Sequence, residues 1–245
     1  NREQLRINGD LLQANLYRIE RGASFAEVEN FYDENMSLIR IKLNPAISPA
    51  ANAQKYYKDY QKAKNAEHIL TEQIEKGRSE LEYIDSVLDT VSRAESEREL
   101  AQIREELTEQ GYLRKQKGKQ RPQAALPPLE FTSSDGFKIL VGRNNTQNDK
   151  LTLKIANKND MWLHTKDIHG SHTVVFAEGR KISDTAILEA AQLAAYYSKA
   201  RESSQVPVDY TLVRYVSKPS GARPGMVIYV NNKTVYVTPK ANISE

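Results

Sequence analysis

The sequence contains no cysteine, which excludes disulfide bonds and leaves histidine and carboxylates as the strong metal ligands. A chain without cysteine fits the cytosol, and it fits many surface proteins of Gram-positive bacteria equally well. No stretch approaches the roughly 20 consecutive apolar residues of a membrane-spanning helix. The opening NREQLRINGD also lacks the apolar core of a secretory signal. We therefore predict a cytoplasmic protein without membrane insertion.

Sequence patterns of catalysis are also missing. Ser171 and His172, with Asp167 nearby, combine a nucleophile with a base, but neighbouring residues of a strand point to opposite faces. Residues 170–172 lack the strained elbow of a hydrolase, and residues 142–144 lack the glycine and lysine spacing of a phosphate loop. We therefore predict a binding protein that is not an enzyme and uses no cofactor.

Three of the four histidines, His164, His169 and His172, are close together in the sequence. A strand, a turn and a second strand could bring His164 next to His172, so a metal site is one interpretation. Against it, the sequence offers no helical i, i+4 histidine pair and no obvious carboxylate partner. Histidines in such positions more often hydrogen-bond a turn or face solvent. We therefore predict no metal site.

Charge is distributed unevenly, although the net charge is only +3. Residues 1–121 have 20 Lys and Arg against 21 Asp and Glu, a net charge of −1, and residues 122–245 have 15 against 11, a net charge of +4. This excess is smaller than a dedicated nucleic-acid binder shows. Residues 114–122, RKQKGKQRP, have five basic residues and no acid. They indicate either a solvated linker or a flexible strap that contacts phosphates.

This basic segment separates two predicted domains, 1–121 and 122–245. In the first, apolar spacing over 3–20 indicates a helix, and alternating runs over 25–43 indicate a β-hairpin. From residue 56 to 91, apolar side chains recur at intervals of four and three, which predicts a long helix with a heptad seam. The seam includes Leu70, Ile74, Leu81 and Leu88.

The long helix is expected to begin at Ser48-Pro49 and to kink or break at Gly77, which costs about 1 kcal/mol against alanine. A second helix over 95–110 should fold back near residues 81–88. The prediction is an antiparallel helical coiled coil with a hairpin tip, acting either as a spacer or as the carrier of a docking surface. The seam near Leu70 and Ile74 lacks a partner, which predicts self-association.

The second domain mixes helices and strands without a regular βαβ repeat, so its predicted class is α+β. Strand patterns lie at 129–133, 137–142, 161–165, 172–177, 208–216, 226–230 and 234–238. Asn231, Asn232 and Lys233 are expected to join the last two strands. A helix is expected to start near residue 145, and Ser183 should cap an alanine-rich helix that ends near residue 199.

The densest group of unusual residues lies between Gly142 and His172, and we predict that its turn is the working surface. Trp162, His164 and His169 could stack on bases, and lysines at spacing four could line one helix face. The opposing interpretation is a solvated lysine face and a buried Trp162. The predicted nucleic-acid-binding residues are Arg143, Lys150, Lys154, Lys158, Trp162, His164, Lys166, His169, Gly170, Ser171, His172, Lys218 and Arg223.

Several segments resemble, in order, the C-terminal domain of the NFACT family. They are GRNNTQND, MWLHTKDIHGSH, ILEAAQLAAYYSKAR, VDYT, VSKPSGARPG and VYVTP. Upstream, NPAISPAANAQKYYKDYQKAK resembles the start of the return helix in the family's coiled-coil middle region. The family commonly has proline before Gly-Ser-His, whereas this chain has His169, so no shared role is carried over to that position.

The resemblance implies that the parent protein has an N-terminal domain and a helix-hairpin-helix segment before this chain. It implies binding to large ribosomal subunits that carry peptidyl-tRNA, with contacts to tRNA and rRNA. It also implies that the full-length protein adds C-terminal alanine tails in ribosome-associated quality control. Because the tRNA-selecting residues belong mainly to the N-terminal part, we expect that this chain alone does not support tailing.

Adhesion is the alternative function, because bacterial members of the family are also named for fibronectin binding. It would require exposure at the cell surface by a non-classical route. Dedicated fibronectin adhesins use disordered acidic repeats that add strands to their target, and the sequence shows no such repeat. We therefore predict RNA and ribosome binding first and fibronectin binding as a second activity.

Overall fold

The computed structural model describes residues 2–114 and 125–241. Contacts divide the chain into two compact units, Asn1–Arg78 and Ser79–Glu245. This division falls inside one long helix, upstream of the domain boundary expected near residue 121. Most of the basic segment, residues 115–122, lies outside the described residues, so its role as a linker or a strap and the expected boundary stay predictions.

In the first unit, a helix packs on a two-stranded antiparallel hairpin, as the sequence predicts. Helix α1 spans Arg2–Ala14, a short 3-10 helix spans Leu16–Arg18, and strands β1 and β2 span Phe25–Glu29 and Leu38–Lys42. Side chains of β2 alternate between core and solvent, so that Ile41 is buried while its neighbours in the strand are more exposed.

Helix α2 spans Pro49–Arg93 without interruption. It begins as expected, because the Ser48 hydroxyl accepts a hydrogen bond from the backbone N–H of Ala51 at 3.1 Å. The break expected at Gly77 does not occur. Glycine weakens a helix by about 1 kcal/mol, but unlike proline it keeps its backbone N–H, so the helical hydrogen bonds continue through it.

Within the second unit, α2 buries a face different from the predicted heptad seam. Leu81 is 62% exposed, whereas Tyr83 is fully buried. Helix α3, Glu97–Glu109, folds back on this stretch as expected and packs Ile103 against Tyr83. Intervals of four and three fit more than one helix face. Here the Tyr83 hydroxyl donates to the buried Glu106 carboxylate at 2.9 Å, which favours the tyrosine face.

In the described part of the second unit, eight strands follow: β3 (Leu129–Thr132), β4 (Lys138–Val141), β5 (Met161–Thr165), β6 (Thr173–Val175), β7 (Val206–Leu212), β8 (Val216–Ser217), β9 (Ile228–Tyr229) and β10 (Lys233–Val237). Six form one antiparallel sheet in the order β10-β7-β5-β6-β4-β3, and β8 pairs with β9. The last two strands, β9 and β10, are therefore not partners. Strand β9 pairs with β8, and β10 pairs with β7.

One face of the six-stranded sheet is covered by helix α5, Asp184–Tyr196. The Ser183 hydroxyl caps this helix as expected and accepts a hydrogen bond from the backbone N–H of Ala186 at 3.0 Å. Small side chains let the helix lie close to the sheet, and its fully buried alanines include Ala190, Ala191, Ala194 and Ala195. The helix ends at Tyr196, a few residues earlier than predicted.

The opposite face of the sheet has its own core, because strand side chains alternate. Helix α4, Asn145–Lys150, continues into a five-residue π-helix, Leu151–Ile155, whose Leu151 packs against Trp162 and Val174. Helices on both sides of an antiparallel sheet give the α+β class that the sequence predicts. Within the described part of the chain, no helix is long and apolar enough to cross a membrane.

Candidate nucleic-acid interface

The turn between β5 and β6 is only partly the exposed surface that we expected. Lys166 is exposed, but Gly170 forms a bridge with Ser198 near the end of α5. The backbone carbonyl of His169 accepts a hydrogen bond from the N–H of Lys199 at 2.9 Å. Ser171 is 2% exposed. The second half of the turn is therefore fixed against the fold, and a role of His169 in binding stays a prediction.

Trp162 does not present its ring to solvent. It is fully buried, and its ring lies parallel to that of His164, with the centroids 5.8 Å apart. The Tyr229 ring lies on it at 4.7 Å between centroids. The expectation that Trp162 stacks on bases is therefore corrected. Trp162 is a core residue because β5 directs it to the face covered by the π-helix.

The two strands bring His164 and His172 together, with ring centroids 5.5 Å apart. His172 is 1% exposed, its Nδ1 lies 2.8 Å from the Thr152 hydroxyl and its Nε2 lies 3.1 Å from the Gly225 carbonyl. Burial, with a smaller effect of neighbouring His164, lowers the pKa of His172 to about 3. Burial also lowers the pKa of His164. Both rings are therefore neutral at pH 7 and do not serve as cations for phosphate.

The ring nitrogens of these two histidines are engaged within the fold. Both ring nitrogens of His172 already have polar partners, and Nε2 of His164 lies 3.3 Å from the Gly170 carbonyl. Among residues 2–114 and 125–241, no group of three or more His, Asp or Glu side chains could hold a metal ion. The close approach of His164 and His172 is thus a hydrogen-bonded part of the core.

Three sequence motifs meet around His172. The carbonyl of His172 accepts from the N–H of Gly142 at 3.0 Å, and its own N–H donates to Asn148 Oδ1 at 3.1 Å. A Cβ atom at Gly142 would lie 2.0 Å from that Asn148 oxygen, so glycine is required there. A Cβ at Gly225, where φ is +79°, would lie 2.5 Å from Asn145 Oδ1. The motifs therefore interlock through backbone groups that leave no room for side chains.

Three of the predicted cations are used inside the fold. Lys218 forms an ion pair with Asp149 at 2.6 Å and also donates to the Arg223 carbonyl. Arg223 donates to Gln110 Oε1 at 3.1 Å, and Arg143 forms an ion pair with Glu99. Their guanidinium and ammonium groups are half-buried and hold loops to helices. The sequence did not reveal this because the partners are distant along the chain.

Four predicted lysines remain exposed: Lys150, Lys154, Lys158 and Lys166. Within the described ranges, none of them forms an ion pair with an acidic side chain. The expectation that three of them line one helix face is wrong for Lys158. The π-helix ends at Ile155 and Ala156 is extended, so Lys158 lies in the following turn. These lysines are the part of the predicted site that phosphates could reach.

Comparison with protein families explains the order of the motifs. Residues 1–125 match the NFACT N-terminal and middle domains, and residues 128–244 match the NFACT protein RNA binding domain. The chain belongs to the NFACT family. The resemblance seen in the sequence is therefore confirmed across both halves of the chain.

Curated NFACT relatives have the name Rqc2 homolog RqcH. The chain is 48% identical to the one from Bacillus subtilis strain 168 over 245 residues, which are 99% of this chain and 42% of the relative. It is 42% identical to the one from Streptococcus suis strain 05ZYH33 over 238 residues, 97% of this chain and 42% of the relative. The chain thus spans about two fifths of the length of these curated NFACT relatives.

A solved structure has the same fold. It is the C-terminal part of the fibronectin/fibrinogen-binding protein from Streptococcus suis, which matches with a TM-score of 0.73 and 36% sequence identity. The match covers 97% of this chain and 85% of that chain. This NFACT chain therefore shares its fold with a relative whose name refers to fibronectin and fibrinogen, whereas the matching domain family is described as RNA binding.

Proposed function

We propose that this chain is the RNA- and ribosome-contacting part of an NFACT protein that acts in ribosome-associated quality control. The observation that carries the proposal is the match of residues 128–244 to the NFACT RNA binding domain. The identity of 48% to a protein named RqcH supports the same role. The partners proposed are large ribosomal subunits with peptidyl-tRNA, and the parent protein would add alanine tails.

The exposed lysines supply the chemistry for RNA. Lys150 and Lys154 lie one turn apart on α4 and the π-helix, and Lys158 and Lys166 lie in turns. Lysine ammonium groups bind phosphates as point charges, and binding releases condensed counterions from the RNA. Affinity should therefore fall steeply with salt. Such contacts position RNA without reading its sequence.

Binding to purified large ribosomal subunits across a salt series tests this proposal. We expect saturable cosedimentation of the chain, with an affinity that decreases as salt increases. The double variant Lys150→Gln and Lys154→Gln should show a weaker salt dependence, by about one unit of slope per lost phosphate contact. A matched variant, Lys181→Gln and Lys240→Gln, removes two other exposed charges and should bind like the unmodified chain. Absence of saturable binding to the subunits would refute the proposal.

Fibronectin binding is the second candidate. The observation in its favour is the shared fold with the Streptococcus suis fibronectin/fibrinogen-binding protein. The same preparation should be assayed in parallel on immobilised fibronectin over the same salt series. Saturable binding to fibronectin and none to ribosomal subunits would favour adhesion, whereas the reverse favours the ribosomal role.

Self-association through α2 is a related proposal. Leu70 and Ile74 are 56% and 54% exposed, so the apolar side chains for which the sequence predicts a partner do face solvent. Exposed apolar surface favours association. Light scattering should show a mass that increases with concentration, and Leu70→Gln with Ile74→Gln should suppress the increase. A strict monomer at high concentration would contradict this proposal.

A further inference from the structure

A cleft of about 220 Å³ lies in the second unit, where five elements meet. The end of α2 and the start of α3 form one side, and residues next to β3 and β4 and the end of α5 form the other. Its notable side chains are Arg93, Arg143, Tyr196, Tyr197 and Arg201. Arginine and tyrosine are the residues that proteins use to contact the phosphates and bases of RNA.

The cleft is where motifs left unexplained by the lysine surface come together. GRNNTQND contributes Arg143, and the segment AAYYSKAR contributes both tyrosines and Arg201. The HGSH segment contributes through Ser171, whose hydroxyl lies 3.4 Å from a guanidinium nitrogen of Arg93. The N–H of Ser171 also donates to the carbonyl of Tyr197 at 3.0 Å. The anchored turn therefore supports the wall of this cleft.

Charge within the cleft is only partly compensated. Arg93 forms an ion pair with buried Asp89 at 2.7 Å, and Arg143 is paired with Glu99. Arg201 forms no ion pair with any residue in 2–114 or 125–241, but its guanidinium donates a hydrogen bond to the Tyr196 hydroxyl, and its central carbon lies 3.9 Å from the centroid of the Tyr196 ring. Glu95 also lines the cleft, but it is exposed and its charge is screened by solvent. Arg201 is therefore the cation available to an anionic ligand.

The size and lining of the cleft determine the class of ligand. A cleft of about 220 Å³ can take only a single small group, and a duplex keeps its bases stacked inside the helix. Aromatic and guanidinium planes stack on bases that are splayed out of single strands. A guanidinium also binds phosphate through two parallel hydrogen bonds. Tyr197, which lines the cleft, and Arg201, which has no ion-pair partner in the described residues, together match a base and its phosphate.

We propose that this cleft binds an unstacked nucleotide of single-stranded RNA, with Arg201 on the phosphate and the Tyr196 and Tyr197 side of the cleft against the base. The proposal rests on the RNA-binding function proposed above and adds the class of RNA and the place where it binds. It differs from the lysine surface, which would contact single strands and duplexes alike.

Fluorescence anisotropy with a labelled single strand of about 12 nucleotides, a length within the range of known single-strand sites, tests the proposal. The same RNA annealed to its complement is the second probe. Arg201→Gln should weaken binding of the single strand about tenfold, in line with the loss of one charge-assisted phosphate contact, and should leave duplex binding unchanged. Lys181→Gln removes one exposed charge outside the cleft and should bind both probes like the unmodified chain.

Further variants separate binding from folding. Arg201→Lys keeps the charge but loses the planar group, so it should recover only part of the single-strand affinity. Arg201→Gln loses no ion pair but does lose the contacts of Arg201 with the Tyr196 ring and hydroxyl, so its thermal unfolding should shift only slightly from that of the unmodified chain. Tyr197→Leu should reduce single-strand affinity without changing that for the duplex.

Three results would contradict the proposal that the cleft binds a nucleotide. One is unchanged single-strand affinity in Arg201→Gln, and another is an equal loss for single strand and duplex. The third is tight binding of a glutamate-rich peptide that depends on Arg201 and displaces neither RNA. That result would assign the cleft to a protein partner. If the unmodified chain binds no RNA of either kind, the proposed function itself fails. If RNA binding depends on Lys150 and Lys154 and not on Arg201, only the proposal of a nucleotide site in the cleft fails, and the proposed RNA-binding function stands.

Discussion

The motif loops around His172 and the lysine segment from 150 to 158 are neighbours in sequence but differ in how they meet solvent. The loops contain the unusual residues, and their polar groups are turned inward to one another, as the contacts of Gly142, Asn148 and His172 show. The lysine segment has ordinary residues that remain exposed. A cluster of rare side chains thus marks a buried polar network here, while the accessible charge lies beside it.

The largest expected effect comes from Trp162→Ala, which should lower the free energy of unfolding by about 4 kcal/mol, as for other large-to-small changes of a buried aromatic residue. Chemical denaturation measures this. Trp162→Phe is the matched control and should lose less than half as much. If Trp162→Ala kept its stability and lost RNA binding, the tryptophan would belong with the exposed lysines and the comparison would fail.

The second largest effect is expected at Gly142, whose surroundings leave no room for a side chain. Gly142→Ala should lower the free energy of unfolding by about 3 kcal/mol, because overpacking forces backbone and side chains to shift. The new Cβ would lie 2.0 Å from Asn148 Oδ1 and 3.2 Å from the Asn148 Cα, so the backbone of α4 must move as well. Denaturant titration and the retention of native circular dichroism report the result. A stability equal to that of the unmodified chain would show that the loops are not interlocked.

Acid should weaken the loops before it affects the carboxylates. The pKa of His172 is lowered to about 3 by burial, so protons bind the unfolded chain, with an ordinary pKa of about 6.5, more readily than the fold. Stability contributed by the neutral ring is complete above about pH 6.5 and decreases as pH falls toward the folded pKa. At pH 5 the loss should be about 2 kcal/mol from this ring, with a further loss from His164.

Urea unfolding between pH 7.5 and 5 measures this dependence. His172→Gln removes the titrating ring, so its stability should be lower at pH 7.5 but should change less with pH. A pH dependence equal in the variant and the unmodified chain would mean that His172 is accessible to protons in the fold.

The smallest effect is expected at Gly77, a glycine with open space around it in helix α2. Gly77→Ala makes the same chemical change as Gly142→Ala, but no atom lies within 4 Å of the new Cβ. It should raise the free energy of unfolding by about 1 kcal/mol, the difference in helix propensity. Thermal unfolding of both alanine variants in one experiment would therefore give shifts of opposite sign. Shifts of the same sign would contradict the contrast between a crowded loop and an open helix.

Local pattern was sufficient for most elements of the fold. Alternation predicts the hairpin of β1 and β2, a short run before a turn predicts the strand that includes Trp162, and the neighbours of Ser48 and Ser183 indicate their role as caps. These features depend on residues a few positions apart. The pairing of β10 with β7 and of β5 with β7 was not predicted, because strand pairing depends on contacts between distant parts of the chain.

The candidate site was harder to predict than the fold. The lysines were found correctly as exposed charges, but burial of Trp162 depends on which face of β5 the π-helix covers. Arg201, on which the proposed cleft depends, is not among the residues predicted from the sequence, although it ends the segment AAYYSKAR that helped to indicate the family. A signal was present in the adjacent tyrosines followed by a basic residue, yet the cleft also needs Arg93, which is more than a hundred positions upstream.

Gly142 and Gly225 both touch asparagines of α4 from opposite ends of the domain sequence, Gly142 at Asn148 and Gly225 at Asn145. The short helix therefore lies between the backbones of two glycines. A side chain at either glycine would collide with an asparagine of α4 and displace the helix. A search for remote relatives should therefore include these two gaps in side-chain volume, because the contacts of α4 require them.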